Sequence, residues 1–91
     1  MFMVASYDIP GDQRRARVAD ILKDYGRRVQ YSVFECDLDN VRFSEMLNAL
    51  QQAIDDREDS LRIYKLCEGC LSRVSFLGRS GTYDDPDVIV I

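Results

Sequence analysis

The sequence predicts an α+β domain in which an antiparallel sheet carries two helices on one of its faces. Three observations lead there. The chain opens on an apolar run, MFMVASY, whose apolar residues fall on both sides of a strand: Phe2 and Val4 on one, Met3, Ala5 and Tyr7 on the other. Two later stretches hold apolar residues at helical spacing, Val18, Ile21, Leu22 and Tyr25, then Phe43, Met46, Leu47, Leu50 and Ile54. The stretches around them are short and rich in Val, Ile, Tyr and Phe, the composition of strands.

A strand that is apolar on both sides belongs in the middle of a sheet covered on both faces. Ile9-Pro10-Gly11 ends it, because proline has no N–H for the ladder and glycine supplies the turn. Asp12 is placed to cap the first helix, about 13 to 25, and Gly26 to stop it. Arg27 to Asp37, RRVQYSVFECD, is extended, either as one strand or as two short ones bent at Tyr31-Ser32. Asp39 or Asn40 caps the second helix, which ends near Asp55. There Asp55, Asp56, Glu58 and Asp59 meet a helix terminus that disfavours anions, and the run reads as a solvated loop rather than a metal site. Leu61 to Cys67 is a strand, Glu68-Gly69 a turn, and Leu71 to Leu77 another strand. The polar loop GRSGTYDDPD then leads to Val88-Ile89-Val90-Ile91, a sticky edge unless paired with a neighbouring sheet or a second chain.

This order, βαββαβ with an additional C-terminal strand, is the ferredoxin-like plan. Residues 1–78 form the core domain, and residues 79–91 a loop and short strand expected to pack on the partner chain. The plan leaves the second face of the sheet open although the first strand is apolar on both sides. A homodimer on that face, or across strand edges, removes the conflict.

Ninety-one residues suffice for one domain. No apolar run reaches the length of a membrane helix, and the start lacks the basic region and cleavage site of a signal peptide, so a cytoplasmic protein with no membrane partner is expected. Three cysteines, Cys36, Cys67 and Cys70, do not make a disulfide framework. Cys67 and Cys70 form a C-x-x-C, open to reading as a redox pair or half a zinc site, with two small apolar residues near a strand end the favoured reading; without histidine, a zinc site would need all three cysteines plus a carboxylate, or two chains. The net charge of −4 opposes generic binding of polyanions, but it is unevenly spread: residues 1–28 carry +2 and residues 29–91 carry −6. A nucleic-acid site therefore belongs to the first third.

Asp8 has two readings. It shares one side of the first strand with Phe2, Val4 and Ser6. If that side is a dimer face, two Asp8 carboxylates with waters and a phosphate oxygen make a shell for Mg²⁺ (or Mn²⁺), an ion that polarises a phosphodiester and activates water. Otherwise Asp8 ends its strand in an Asx-type turn before Pro10-Gly11. Without histidine, general base work falls to a metal-bound hydroxide or a carboxylate. Arg14, Arg15 and Arg17 fan out over one helical turn, with Arg27 and Arg28 beyond. Their planar forks suit phosphate, while pairing with Asp8, Asp12, Asp20 and Asp24 on a solvated surface is the competing use.

The sequence resembles the CRISPR-associated Cas-two family. The matching residues run in the family's order across nearly all of residues 1–78: Tyr7-Asp8-Ile9, the arginine-rich first helix, Tyr25-Gly26, Arg28-Val29-Gln30-Tyr31-Ser32-Val33-Phe34-Glu35, then Ile63-Tyr64 with Cys67 and Cys70. The segment after Leu77 matches poorly. The resemblance implies a ferredoxin-like homodimer with two short strands between Arg27 and Asp37, acting in spacer acquisition by bridging two dimers of the Cas-one integrase on DNA. It also implies a metal-dependent endonuclease on single-stranded RNA or double-stranded DNA, with Asp8 of both protomers as catalytic metal ligand. Tyr7, Arg15, Arg17, Arg28 and Phe34 match positions implicated in activity or substrate contact. A purely non-catalytic nucleic-acid-binding scaffold is the alternative.

Overall fold

The computed structural model describes residues 1–77 and 89–90 and is centred on β1, Phe2–Asp8. After it come α1 (Asp12–Lys23), β2 (Gly26–Gln30), β3 (Val33–Asp37), α2 (Asn40–Ala53), β4 (Ser60–Leu66), α3 (Glu68–Leu71), β5 (Ser75–Phe76) and β6 (Ile89–Val90). The main sheet has the order β2-β3-β1-β4 with every neighbour antiparallel, which is the ferredoxin-like arrangement. Among the described residues no helix is long and apolar enough to cross a membrane.

β1 is apolar on both sides because it is paired on both edges, covered by the helices on one face and by α3 over part of the other. Met3, Ala5 and Tyr7 turn toward the helices, where they meet Val18, Ala19 and Leu22 of α1, Met46, Leu50 and Ala53 of α2, and Phe34 and Cys36 of β3. On the other face Phe2 packs with Leu71 of α3, flanked by Val4, Leu66 and Val74. The short α3 thus covers one end of the face that the sequence leaves open. The other end, with Ser6, Asp8, Arg62 and Tyr64, is uncovered in the single chain, and Tyr64 is half exposed.

Several local details differ from the sequence expectation. The residue preceding α1 is Gly11, with no side-chain cap; Asp12 is already helical, and its carboxylate pairs with Arg15 one turn on. Asp39 does cap α2, accepting the Arg42 N–H at 2.8 Å. Arg27 to Asp37 is two strands joined at Tyr31-Ser32, with a register shift between Arg28 and Gln30.

Gly26 opens β2 instead of stopping α1, and its lack of a side chain is needed for another reason. A Cβ there would lie 2.2 Å from the Glu35 carbonyl oxygen and 2.5 Å from Cys36 Sγ, so β2 could not close onto β3. Gly26→Ala is expected to cost about 1–3 kcal/mol through forced displacement of backbone, read as a lower denaturant midpoint with unchanged slope.

The turn and long strand expected at 68–77 are instead α3 and the two residues of β5. Leu71 N–H bonds the Cys67 carbonyl and Ser72 N–H bonds the Glu68 carbonyl, both helical, while Ser72 Oγ donates to the Gly69 carbonyl at 2.8 Å. β6 pairs in parallel with β5 of the same chain, Ser75 with Ile89 and Phe76 with Val90. The expected loop between Gly78 and Asp87 lies outside the described residues.

Glu35 stands on β3 opposite Val4 and Arg27, only 7% exposed, and its Oε1 has no hydrogen-bond partner among the described residues. Burial pushes its carboxyl above the ordinary range, and the charge of Arg27 partly opposes this. A carboxyl raised in the folded state stabilises fully below its unfolded value, near 4.5, and loses that contribution as the pH climbs through the folded value. Glu35→Gln is therefore expected to flatten the fall in stability above pH 4.5; equal slopes in variant and wild type would contradict this.

Candidate nucleic-acid and metal site

The alternation of β1 and β4 builds a polar cleft at one end of the open sheet face. Asp8 is in register with Ser60, Ser6 with Arg62, and Val4 with Tyr64, so these residues share one side of the sheet. Ser6, Asp8, Ser60, Arg62 and Tyr64, with Tyr7, line a cleft of about 250 Å³. Asp8 is exposed, and among the described residues no hydrogen bond or ion pair engages its carboxylate. The Asx-type bond of the competing reading is not formed. Arg62 is exposed and likewise has no ion-pair partner among the described residues.

The arginines are divided among different surroundings. Arg14 is tied down: Nε donates to Asp59 Oδ2 at 2.8 Å, while Nη2 donates to Asp59 Oδ1 at 3.2 Å and Glu58 Oε2 at 3.0 Å. The Asp59 side chain is fully buried and also accepts the Asp55 N–H, so within the acidic run Asp59 is an anchor for Arg14, while Asp56, Arg57 and Glu58 are exposed, as a solvated turn requires. The Arg14 hydrogen bond holds the Asp59 carboxyl below its usual range, and Asp59 raises Arg14 in return. Arg14, expected to contact nucleic acid, thus has its guanidinium engaged within the chain.

Arg15 donates from Nη1 to the Ile9 carbonyl at 3.1 Å and pairs with Asp12. With Arg28, Tyr7, Asp12, Tyr31 and Ser32 it lines a second cleft of about 290 Å³ on the helix side of the sheet. Arg17 points to solvent with no ion pair among the described residues. Arg27 lies on the open face, opposite Glu35. Tyr7 and Phe34, expected in substrate contact, are 5% and 0% exposed and cannot stack on a base as they stand. They stack on each other at 6.4 Å, Tyr7 donates its hydroxyl to the Tyr31 carbonyl at 3.2 Å, and the Arg28 guanidinium sits 5.2 Å over the Phe34 ring. Their place is beneath the Arg28 cleft, supporting its floor.

Asp8 and the cluster of Arg15 and Arg28 therefore line separate clefts, which have only Tyr7 in common. The basic residue that shares the cleft of Asp8 is Arg62, missed in the sequence together with Ser6, Ser60 and Tyr64. Its one sequence signal is the alternation Ser60, Arg62, Tyr64 along β4, legible only once β4 is known to pair with β1. The donors around Asp8 are hard oxygens, the kind Mg²⁺ takes. They include a single carboxylate, and among the described residues no three His, Cys, Asp or Glu side chains cluster as a metal site. A single chain therefore brings one carboxylate to this cleft.

Comparison with known proteins agrees with the fold. The family model for CRISPR associated protein Cas2 matches residues 1–74. A CRISPR-associated endoribonuclease Cas2 of Synechocystis is 42% identical over 92 residues, covering 100% of both chains. One of Thermus thermophilus is 36% identical over 91 residues, covering 98% of this chain and 97% of the relative. The crystal structure of Streptococcus pyogenes Cas2 at pH 6.5 superposes with a TM-score of 0.76 at 40% identity, covering 86% of this chain and 100% of that one. A chain from a partial Cas6-RT-Cas1–Cas2 complex superposes with a TM-score of 0.71 at 27% identity, covering 80% of each chain. With its sheet order, its helices and nearly its whole length shared with these proteins, the chain belongs to the CRISPR-associated Cas2 family.

Proposed function

We propose that this protein acts as a homodimer in CRISPR spacer acquisition, bridging Cas1 integrase subunits on DNA, and that Asp8 of its two protomers forms a metal-dependent phosphodiesterase site. The observation that carries the reading is the unengaged Asp8 carboxylate on the uncovered end of the sheet face. A second copy docked on that face covers the half-exposed Tyr64 ring and brings a second Asp8 toward the first. The relatives named as endoribonucleases and the solved complex containing Cas1 support the class of activity and the partner.

Asp8 from each chain would hold Mg²⁺ or Mn²⁺, and the Ser6 and Ser60 hydroxyls lie in the same cleft. Such an ion supplies polarisation of the phosphodiester and a water acidic enough to attack at neutral pH. Arg62 places a fixed positive charge in the same cleft, where it orients a non-bridging phosphate oxygen and offsets the charge that develops there. Ser60 and Tyr64 add hydroxyls that can donate to phosphate oxygens. Replacing Asp8 by Asn in the purified protein, with RNA and duplex DNA substrates and Mg²⁺ or Mn²⁺, tests the site: cleavage is lost while the dimer persists.

A second reading, the non-catalytic scaffold, is favoured by one observation. Arg15 and Arg28 line a cleft separate from that of Asp8, so the backbone of a long duplex can be gripped without cleavage. Salt titration of DNA affinity separates the arginines. Arg17→Ala and Arg28→Ala each lower the slope of log affinity against log salt by roughly one, the loss of one phosphate contact. Arg14→Ala leaves the slope unchanged, because Glu58 and Asp59 already engage that guanidinium. An unchanged slope in the first two variants would remove those arginines from the interface.

A further inference from the structure

The two exposed cysteines have no part in that site, yet the fold sets them against each other. Cys67 ends the extended stretch after β4, at φ −71° and ψ 169°, and its Sγ accepts the Cys70 N–H at 3.3 Å. The sulfur is therefore held over the turn that carries Cys70. Disulfides span roughly 4.4–6.8 Å between Cα atoms, a distance that one helical turn supplies without moving the backbone. Both cysteines are exposed and residue 69 between them is glycine, so a small reagent can reach the Cys67 sulfur.

We propose that Cys67 and Cys70 are a reversible dithiol–disulfide site, in which Cys67 attacks a low-molecular-weight disulfide and Cys70 resolves the mixed disulfide. Chemistry separates the two roles. The Cys70 backbone N–H and then the Cys70 thiol bond to the Cys67 sulfur, favouring its thiolate and lowering its titration, whereas the Cys70 thiol, as donor in that pair, is raised. In the first step the Cys67 thiolate bonds one sulfur of the small disulfide; the S–S bond breaks and one thiolate leaves, taking a proton from solvent. In the second, Cys70 gives up its proton to solvent and bonds Cys67 Sγ, expelling nothing from the protein but the second small thiolate. The cysteine pair is oxidised by two electrons and the small disulfide is reduced to two thiols. The new bond closes the turn that holds Leu71 against Phe2. Cys36 is an internal control: it is completely buried, and burial followed by the nearby Glu35 charge pushes its thiol up to about 11.

The test is intact-mass analysis of the full chain after exposure to glutathione disulfide under native conditions, then alkylation of the remaining thiols in denaturant. The expected product of the wild type is a monomeric chain lacking two hydrogens, with Cys36 alone alkylated. Cys70→Ser is expected to stop at a glutathione adduct on Cys67. Cys67→Ser, which keeps an oxygen acceptor at the cap and so preserves α3, reacts at Cys70 about tenfold more slowly at neutral pH. A wild-type chain that stops at the adduct, that cross-links to a second chain, that shows no oxidation, or whose two single variants react at equal rates would overturn the proposal.

Discussion

Asp8→Ala is expected to reduce metal-dependent cleavage more than about a hundredfold, since groups that merely orient a metal ligand are already worth roughly 10–100-fold. The same substitution should leave folding close to wild type, because the carboxylate is exposed and no hydrogen bond or ion pair holds it among the described residues. Removing one negative charge from a surface that must accept phosphate should, if anything, strengthen binding without metal. The combination of lost cleavage, unchanged thermal midpoint and retained binding distinguishes loss of a ligand from loss of structure. If spacer acquisition survives in this variant, cleavage is dispensable for acquisition and the scaffold carries the biology. Failure of acquisition, with a dimer that still docks on its integrase, would show that the carboxylate is needed there too.

Phe34→Ala is expected to have the largest effect on stability, about 3–5 kcal/mol, a large share of the roughly 5–15 kcal/mol available to a domain of this kind. Phe34 is completely buried between β1 and the helices, stacked on Tyr7 and roofed by the Arg28 guanidinium. Its removal leaves a cavity under the Arg28 cleft and removes the ring face on which that guanidinium rests, worth about 0.5–1 kcal/mol by itself. Phe34→Leu keeps most of the volume and should retain the fold while still losing the ring face. Loss of nucleic-acid binding that tracks stability across the two variants means that Phe34 works by holding Arg28. A Phe34→Leu protein of nearly wild-type stability whose binding is abolished, while Arg28→Ala binds normally, would instead require direct contact of the ring with substrate.

The parts of the fold that were legible in the sequence are those whose signal is periodic and long. Phe43, Met46, Leu47 and Leu50 fall on one stripe of a helix, and MFMVASY could only be central because both of its sides are apolar. Residues 68–71 had no such signal. A turn of four residues held by Cys67 Sγ and by Ser72 Oγ has no period, and its energy lies in bonds between side chain and backbone that pattern does not encode. The candidate site was half legible for a related reason. Asp8 stands out beside Pro10-Gly11, but Arg62 joins it only through the register of β1 with β4, more than fifty positions apart in the chain. The same distance hid the fate of Arg14, whose partner Asp59 is 45 positions away and looked like part of a solvated acidic run. Phe34 sits in a stretch that is apolar or aromatic at both parities, so sequence could not say that it faces the helices.

If two chains complete one metal site through their Asp8 carboxylates, as proposed, the number of ions bound per chain is one half. Titration of the purified protein with Mn²⁺, counting free ion by its electron paramagnetic resonance signal, measures how many chains each ion takes. The expected result is one ion per two chains at the tightest site and loss of that site in Asp8→Ala. Binding of one ion per chain, or a tightest site that persists in Asp8→Ala, would contradict it.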